Sequence, residues 1–156
     1  MPGSPANWRL LLTAEVITEL LEKAFTHRRT GIPGNDESGA MSSRFILQSL
    51  GFYPNAGHDI YLLGTPSFPE ADIRLAPGKM LRILAQNMDS EHINCFIQSA
   101  TLNSVPLDTA WFHHKQIANG GTLVFTMGPA PSKWGTANPP PSMSDAVSPL
   151  CAAAQQ

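Results

Sequence analysis

The amino-acid sequence predicts an α+β protein, a helical hairpin followed by a small antiparallel β-sandwich. Three observations predict it. Apolar residues recur with the 3.6-residue period of a helix in the first third of the chain, and the period changes to two from about Asp59 onward. Turn-forming clusters at 87–90, 103–104 and 119–121 then divide the remainder into short segments. With 42% hydrophobic and 14% charged residues over 156 positions, the chain can fill one ordinary core or two small co-dependent ones.

The first helix is expected over 13–25. Val16, Ile17, Leu20, Leu21, Ala24 and Phe25 make one stripe, and Glu15, Glu19, Glu22 and Lys23 are left for solvent. Thr13 is a suitable N-cap, His27, Arg28 and Arg29 suit the negative pole, and Gly31, Pro33 and Gly34 break the helix. A second helix is expected from Ser38 or Gly39 to Leu50, burying Met41, Phe45, Ile46 and Leu50, with Gly51 as its left-handed terminator and Pro54 beyond. Neither helix can bury its apolar face alone, so the hairpin requires further partners.

Ala71, Ile73 and Leu75 alternate with Asp72 and Arg74, and Pro77-Gly78 turns the chain into a returning strand over 80–85. Further strands are expected at 95–102 and 123–127, with shorter ones at 105–107 and 111–113. From Ser132 the composition is rich in Pro, Ser, Ala and Gly, so 132–156 reads as a disordered tail.

Charge and cysteine content exclude several functions. A formal net charge of -2 gives no electrostatic case for nucleic acid or an anionic membrane. No segment reaches the roughly 20 apolar residues of a membrane span, and the run Leu10-Leu11-Leu12 is far below signal-peptide length. Cys95 and Cys151 make no disulfide framework. The five histidines form no zinc spacing, and His113 and His114, as neighbours on a strand, should diverge to opposite faces. Neither a nucleophile elbow nor a phosphate-binding loop occurs. Trp8, Trp111 and Trp134 are candidate sugar-stacking platforms, with strand packing as the plainer role for Trp111.

The most informative stretch is Gly34-Asn35-Asp36-Glu37-Ser38-Gly39-Ala40-Met41-Ser42-Ser43. It sets two adjacent carboxylates in a glycine-bracketed turn ahead of the second helix. Such a pair suits a general base, a calcium site, or both. The plain structural alternative is that Asp36 caps the helix and Glu37 adds favourable charge at its N-terminus.

This stretch, with Leu50-Gly51-Phe52-Tyr53-Pro54, resembles glycoside hydrolase family 92, the calcium-dependent exo-acting α-mannosidases. The likeness continues through Tyr61-Leu62-Leu63-Gly64-Thr65-Pro66-Ser67-Phe68-Pro69, through 97–103 and through 120–128, in order, over roughly 12–135. It implies that 12–56 are terminal helices of an (α/α)6 toroid and 57–131 a β-sandwich segment, with 1–11 unmatched. It also implies inverting, calcium-dependent hydrolysis of terminal α-mannose from mannose-rich N-glycans. Asp36 and Glu37 would then be the catalytic base pair and the metal ligands, with the base not assigned to either one. Mannose-containing glycans would be the partners.

The chain departs from the family pattern. Glu37 stands where Asp is usual, and misplacing a carboxylate by about an ångström costs about 100-fold in rate. Arg44 replaces a Trp and Ala40 a frequent Gln. The general-acid glutamate and most of the sugar pocket belong to an upstream portion not in this sequence. The isolated chain is therefore expected to be an inactive C-terminal fragment that depends on the missing N-terminal part. The family leaves an exported or vacuolar location open. The alternatives are a non-catalytic β-sandwich module binding carbohydrate or protein, and a family-level role in protein deglycosylation.

Overall fold

The computed structural model describes residues 7–89 and 93–141, with side chains from Val16 onward. Two helices come first, α1 (Asn7–Ala24) and α2 (Ala40–Ser49), joined through a 3-10 turn at Glu37–Gly39. Helix α1 begins well before the expected cap at Thr13, because nothing between Asn7 and Thr13 is Gly or Pro to prevent it. Gly51 does terminate α2, with φ of 87° and its N–H bonded to the Gln48 carbonyl at 3.0 Å.

Eight strands follow: β1 (Phe52–Pro54), β2 (Ile60–Leu63), β3 (Glu70–Ala76), β4 (Lys79–Gln86), β5 (Phe96–Leu102), β6 (Val105–Leu107), β7 (Trp111–His113) and β8 (Gly121–Gly128). They form a three-stranded sheet in the order β1-β2-β7 and a five-stranded sheet in the order β3-β4-β8-β5-β6. The expected strands at 71–75, 80–85, 95–102, 105–107, 111–113 and 123–127 are all present, within a residue or two at most ends. Two expectations need correction. The larger sheet is mixed, because β4 and β8 pair in parallel, Leu81 opposite Gly121 through Gln86 opposite Thr126. And 52–56 does not belong with the helices: β1 leaves Gly51 directly into the smaller sheet, pairing Phe52 with Leu63.

One core joins both sheets. Alternation on β4 and β8 turns Leu81, Ile83, Ala85, Leu123, Phe125 and Met127 inward, where they meet Phe52 and Phe112 of the smaller sheet. Phe52, Tyr61 and Phe112 pack ring on ring, Tyr61 edge-on to Phe52 and stacked on Phe112, each pair of centroids 5.3 Å apart.

The helices share little of this core. On α2 only Leu47 reaches it, joined by Leu50 just past the helix end, while Phe45 and Ile46, expected to be buried, are exposed, Ile46 by 56%. On α1 Leu21 is buried at 8% but Val16 and Leu20 are exposed. Phe25 and Phe45 pair across the hairpin at 4.9 Å, while Val16, Leu20 and Ile46 of its apolar stripe face out. Among the described residues no helix is long and apolar enough to cross a membrane.

The segment after Pro129 also differs from expectation. Ser132 Oγ donates to the Ile97 carbonyl at 2.6 Å, Trp134 Nε1 to the Leu107 carbonyl at 2.6 Å, and Gly135 bridges Thr109. Trp134 is the reason: one large ring packed against the core offsets the ordering of its polar neighbours. The remainder of the expected tail, 142–156, lies outside the described residues.

Candidate active site

Three left-handed backbones fold the acidic turn. Gly34 and Gly39 adopt φ of 67° and 76° without penalty, but Ser38 holds φ of 54°, which a side chain rarely adopts. Strain of this kind persists only where the surroundings enforce it. Here the enforcing group is Asp36. Its Oδ1 accepts the backbone N–H of Met41 at 2.8 Å and of Ser42 at 3.1 Å, while its Oδ2 accepts the Ser42 hydroxyl. These hydrogen bonds satisfy donors in the first turn of α2 that have no helical partner.

Asp36 thus caps α2 from four residues before its first helical position, not from the adjacent one. The 3-10 turn carries the chain out and back, so the carboxylate bonds five and six residues ahead. Its hydrogen bonds, from the Ser42 hydroxyl first and the Ser42 and Met41 N–H groups with it, outweigh partial burial and hold its carboxyl below the usual 3.8. Glu37 is different. It is exposed, and among the described residues no hydrogen bond or ion pair engages its carboxylate. Adjacent in sequence, the two carboxylates occupy different environments.

For calcium the turn falls short as a donor set. Both oxygens of Asp36 are committed to α2, Glu37 adds one carboxylate, and among the described residues no three His, Cys, Asp or Glu side chains converge. Calcium takes 6–8 oxygens. The residues present do not by themselves fit the ion.

Sequence reading missed Ser38 and Ser42. Ser42 lies six residues beyond Asp36, outside the three-residue spacing that marks a capping box, and only the kinked turn brings them together. Arg44, at the position of the family's Trp, lays its guanidinium 5.7 Å from the centroid of Tyr53 and bonds Gln48 at 3.3 Å. His113 ends β7 and His114 begins a 3-10 turn, so the expected strand neighbours do not form: His113 Nδ1 meets Asp59 at 3.0 Å, and His114 Nδ1 meets the Tyr61 hydroxyl at 3.0 Å.

A family model described as the glycosyl hydrolase family 92 catalytic domain matches residues 9–129, beginning ahead of the boundary expected at 12. The chain belongs to glycosyl hydrolase family 92. It is 36% identical over 148 residues to an uncharacterized secreted glycosidase of Arthroderma benhamiae, covering 93% of this chain and 19% of that protein. Among solved structures it is similar to a family GH92 α-mannosidase of Bacteroides thetaiotaomicron in complex with mannoimidazole. That likeness has a TM-score of 0.76 at 25% identity, over 83% of this chain and 17% of the other. A family GH92 inverting mannosidase of the same organism gives 0.72 at 26% identity, over 85% and 18%. The chain therefore spans less than a fifth of the length of these relatives.

Proposed function

We propose that this chain is the C-terminal part of an α-mannosidase that releases terminal α-mannose from mannose-rich N-glycans with inversion, and that Glu37 is its water-activating base. The observation that carries the assignment is the unequal state of the two carboxylates. A general base needs a lone pair free to take a proton from water. Three donors of α2 already take three of the roughly four lone-pair sites on the Asp36 carboxylate. Glu37, exposed on the same turn, has the free oxygens. In this reading Asp36 is a positioning residue: it fixes the turn, and the turn aims Glu37.

The chemistry then requires a second carboxyl. In an inverting glycosidase an acid and a base stand about 6.5–9.5 Å apart on opposite faces of the sugar. Neighbours in one turn cannot serve as both, so the acid comes from outside this chain. Glu37 takes a proton from water as the water oxygen bonds to the anomeric carbon. The glycosidic bond breaks, and the leaving oxygen takes its proton from the acid. Calcium, in the family's reaction, binds sugar hydroxyls. Its remaining ligands would come from beyond this chain, since Asp36 is already engaged.

The test uses the native-length protein, whose intact mass is measured first. Proton NMR of mannobiose hydrolysis should show β-mannose as the first product. Glu37→Gln should lower kcat by about 100-fold to 10,000-fold, the range for loss of a general base. Asp36→Asn should lower kcat less and also loosen α2. Equal losses, or full activity of Glu37→Gln, would refute the assignment. The 156-residue chain alone should release no mannose.

A further inference from the structure

Glu37 has no anchor of its own, since no hydrogen bond or ion pair engages its carboxylate among the described residues. Where it stands is set by the backbone on either side, Asp36 before it and Ser38 after it. The turn closes through hydrogen bonds from the Gly39 N–H to the Asp36 carbonyl at 3.2 Å and from the Ala40 N–H to the Glu37 carbonyl. Ser38 and Gly39 are consecutive left-handed residues, at φ of 54° and 76° and ψ of 25° and 17°. Glycine adopts that region freely and serine does not, so this path relaxes unless a contact from outside the turn holds it.

The holding contact reaches back from α2. Of the three donors on Asp36, two belong to Ser42, its N–H on Oδ1 at 3.1 Å and its hydroxyl on Oδ2. The N–H groups of Met41 and Ser42 are backbone donors that any residue but proline would offer, and Oδ1 alone satisfies both. The hydroxyl adds nothing to that cap, because it is not a helix donor. It adds a second attachment on the other oxygen. The terminal torsion of an aspartate is otherwise broad, so this attachment is what stops the carboxylate from turning about its Cβ–Cγ bond. Ser43 makes a natural contrast: it is the same residue type one position on, exposed, and among the described residues no hydrogen bond engages its hydroxyl.

We propose that Ser42 is a positioning residue of the hydrolytic site: its hydroxyl locks the Asp36 carboxylate, and through it the left-handed path that presents Glu37. This rests on the reading of Glu37 as the base and adds a residue that acts only through Asp36. A carboxylate held through Oδ1 alone can rotate, and the Ser38 kink then has room to relax. Displacing the base by about an ångström costs about 100-fold in rate. Because the hydroxyl donates to Asp36, its removal takes away no donor to substrate, and the loss falls on kcat while KM stays in place.

The test measures initial rates on α-mannobiose for Ser42→Ala, Ser42→Thr and Ser43→Ala of the native-length protein, with Glu37→Gln alongside. Ser42→Ala should lower kcat by about 10-fold to 100-fold with KM held within about twofold. Ser42→Thr keeps the hydroxyl and should recover most of that loss, and Ser43→Ala should match the parent. Amide hydrogen exchange of the 156-residue chain, read by NMR, reports on the turn without turnover. Ser42→Ala should speed exchange at Gly39 and Met41 and leave Leu123 and Phe125 of the core as they were. An unchanged kcat in Ser42→Ala, a loss carried by KM, an equal loss in Ser42→Thr, or unaltered exchange at the turn would each overturn the proposal. The base reading fails separately: it falls if Glu37→Gln keeps full activity, while amide exchange still reads whether Ser42 holds the turn.

Discussion

An aspartate free in solution titrates near 3.8, and Asp36 is held below that by the hydroxyl and N–H groups it accepts from α2. A depressed folded value has a definite sign. The charged carboxylate stabilises the fold fully above the ordinary value, and this contribution is lost as pH falls through the folded one. Asp59 and Asp72 are lowered as well, by hydrogen bonds to His113 and Arg82, so the whole chain should be less stable below about pH 4. Asp36→Asn should flatten that acid loss in part. Thermal unfolding followed from pH 6 to pH 2 checks it, and an unchanged slope would remove Asp36 from the account. The acidic pair and the glycines around it were legible in the sequence because their residue types are restrictive. The different surroundings of Asp36 and Glu37 were not, because they depend on a kink at Ser38, and the pair Ser38-Gly39 marks a turn without giving its path.

Elements were legible where their pattern ran long enough to repeat. The β3–β4 hairpin was, with alternation on both strands around Pro77-Gly78. Strand β1 was not: three residues ending in proline show no period. The parallel neighbours β4 and β8 were found as strands but not as partners, since nothing in either sequence marks a pairing across the intervening 34 positions, 87–120. The stop of α2 was legible and is testable. Gly51 has φ of 87°, and a Cβ there would lie 3.1 Å from Pro66 Cβ and 3.2 Å from the Gly64 carbonyl oxygen. Gly51→Ala should therefore destabilise the chain by about 1–2 kcal/mol from the backbone conformation alone, and more from crowding. Chemical denaturation reads this, and a neutral result would mean that β1 shifts to make room.

Across the whole molecule, two regions have unequal means of holding together. The sheets share a core in which Leu81, Leu123 and Phe125 have no exposed surface. Phe125→Ala should cost about 3–5 kcal/mol, a large part of the stability of a domain this size. Urea unfolding should register it as a lower midpoint. The hairpin has no comparable seat: Leu20 is 50% exposed and Ile46 56%. Its apolar stripe was read correctly from the sequence, but its burial was not, because periodicity reports that a face is apolar and not what covers it.

The position of β8 sets an order of assembly. It lies between β4 and β5, so neither has its inner neighbour until residues 121–128 have left the ribosome. Until then the nascent chain carries a β3–β4 hairpin and a β5–β6 hairpin, each with an open edge and an apolar face. A message cut short anywhere between those hairpins and β8 would yield not a smaller version of this protein but two adhesive ribbons. The reading frame has to survive as far as Gly128 before either hairpin gains its inner neighbour.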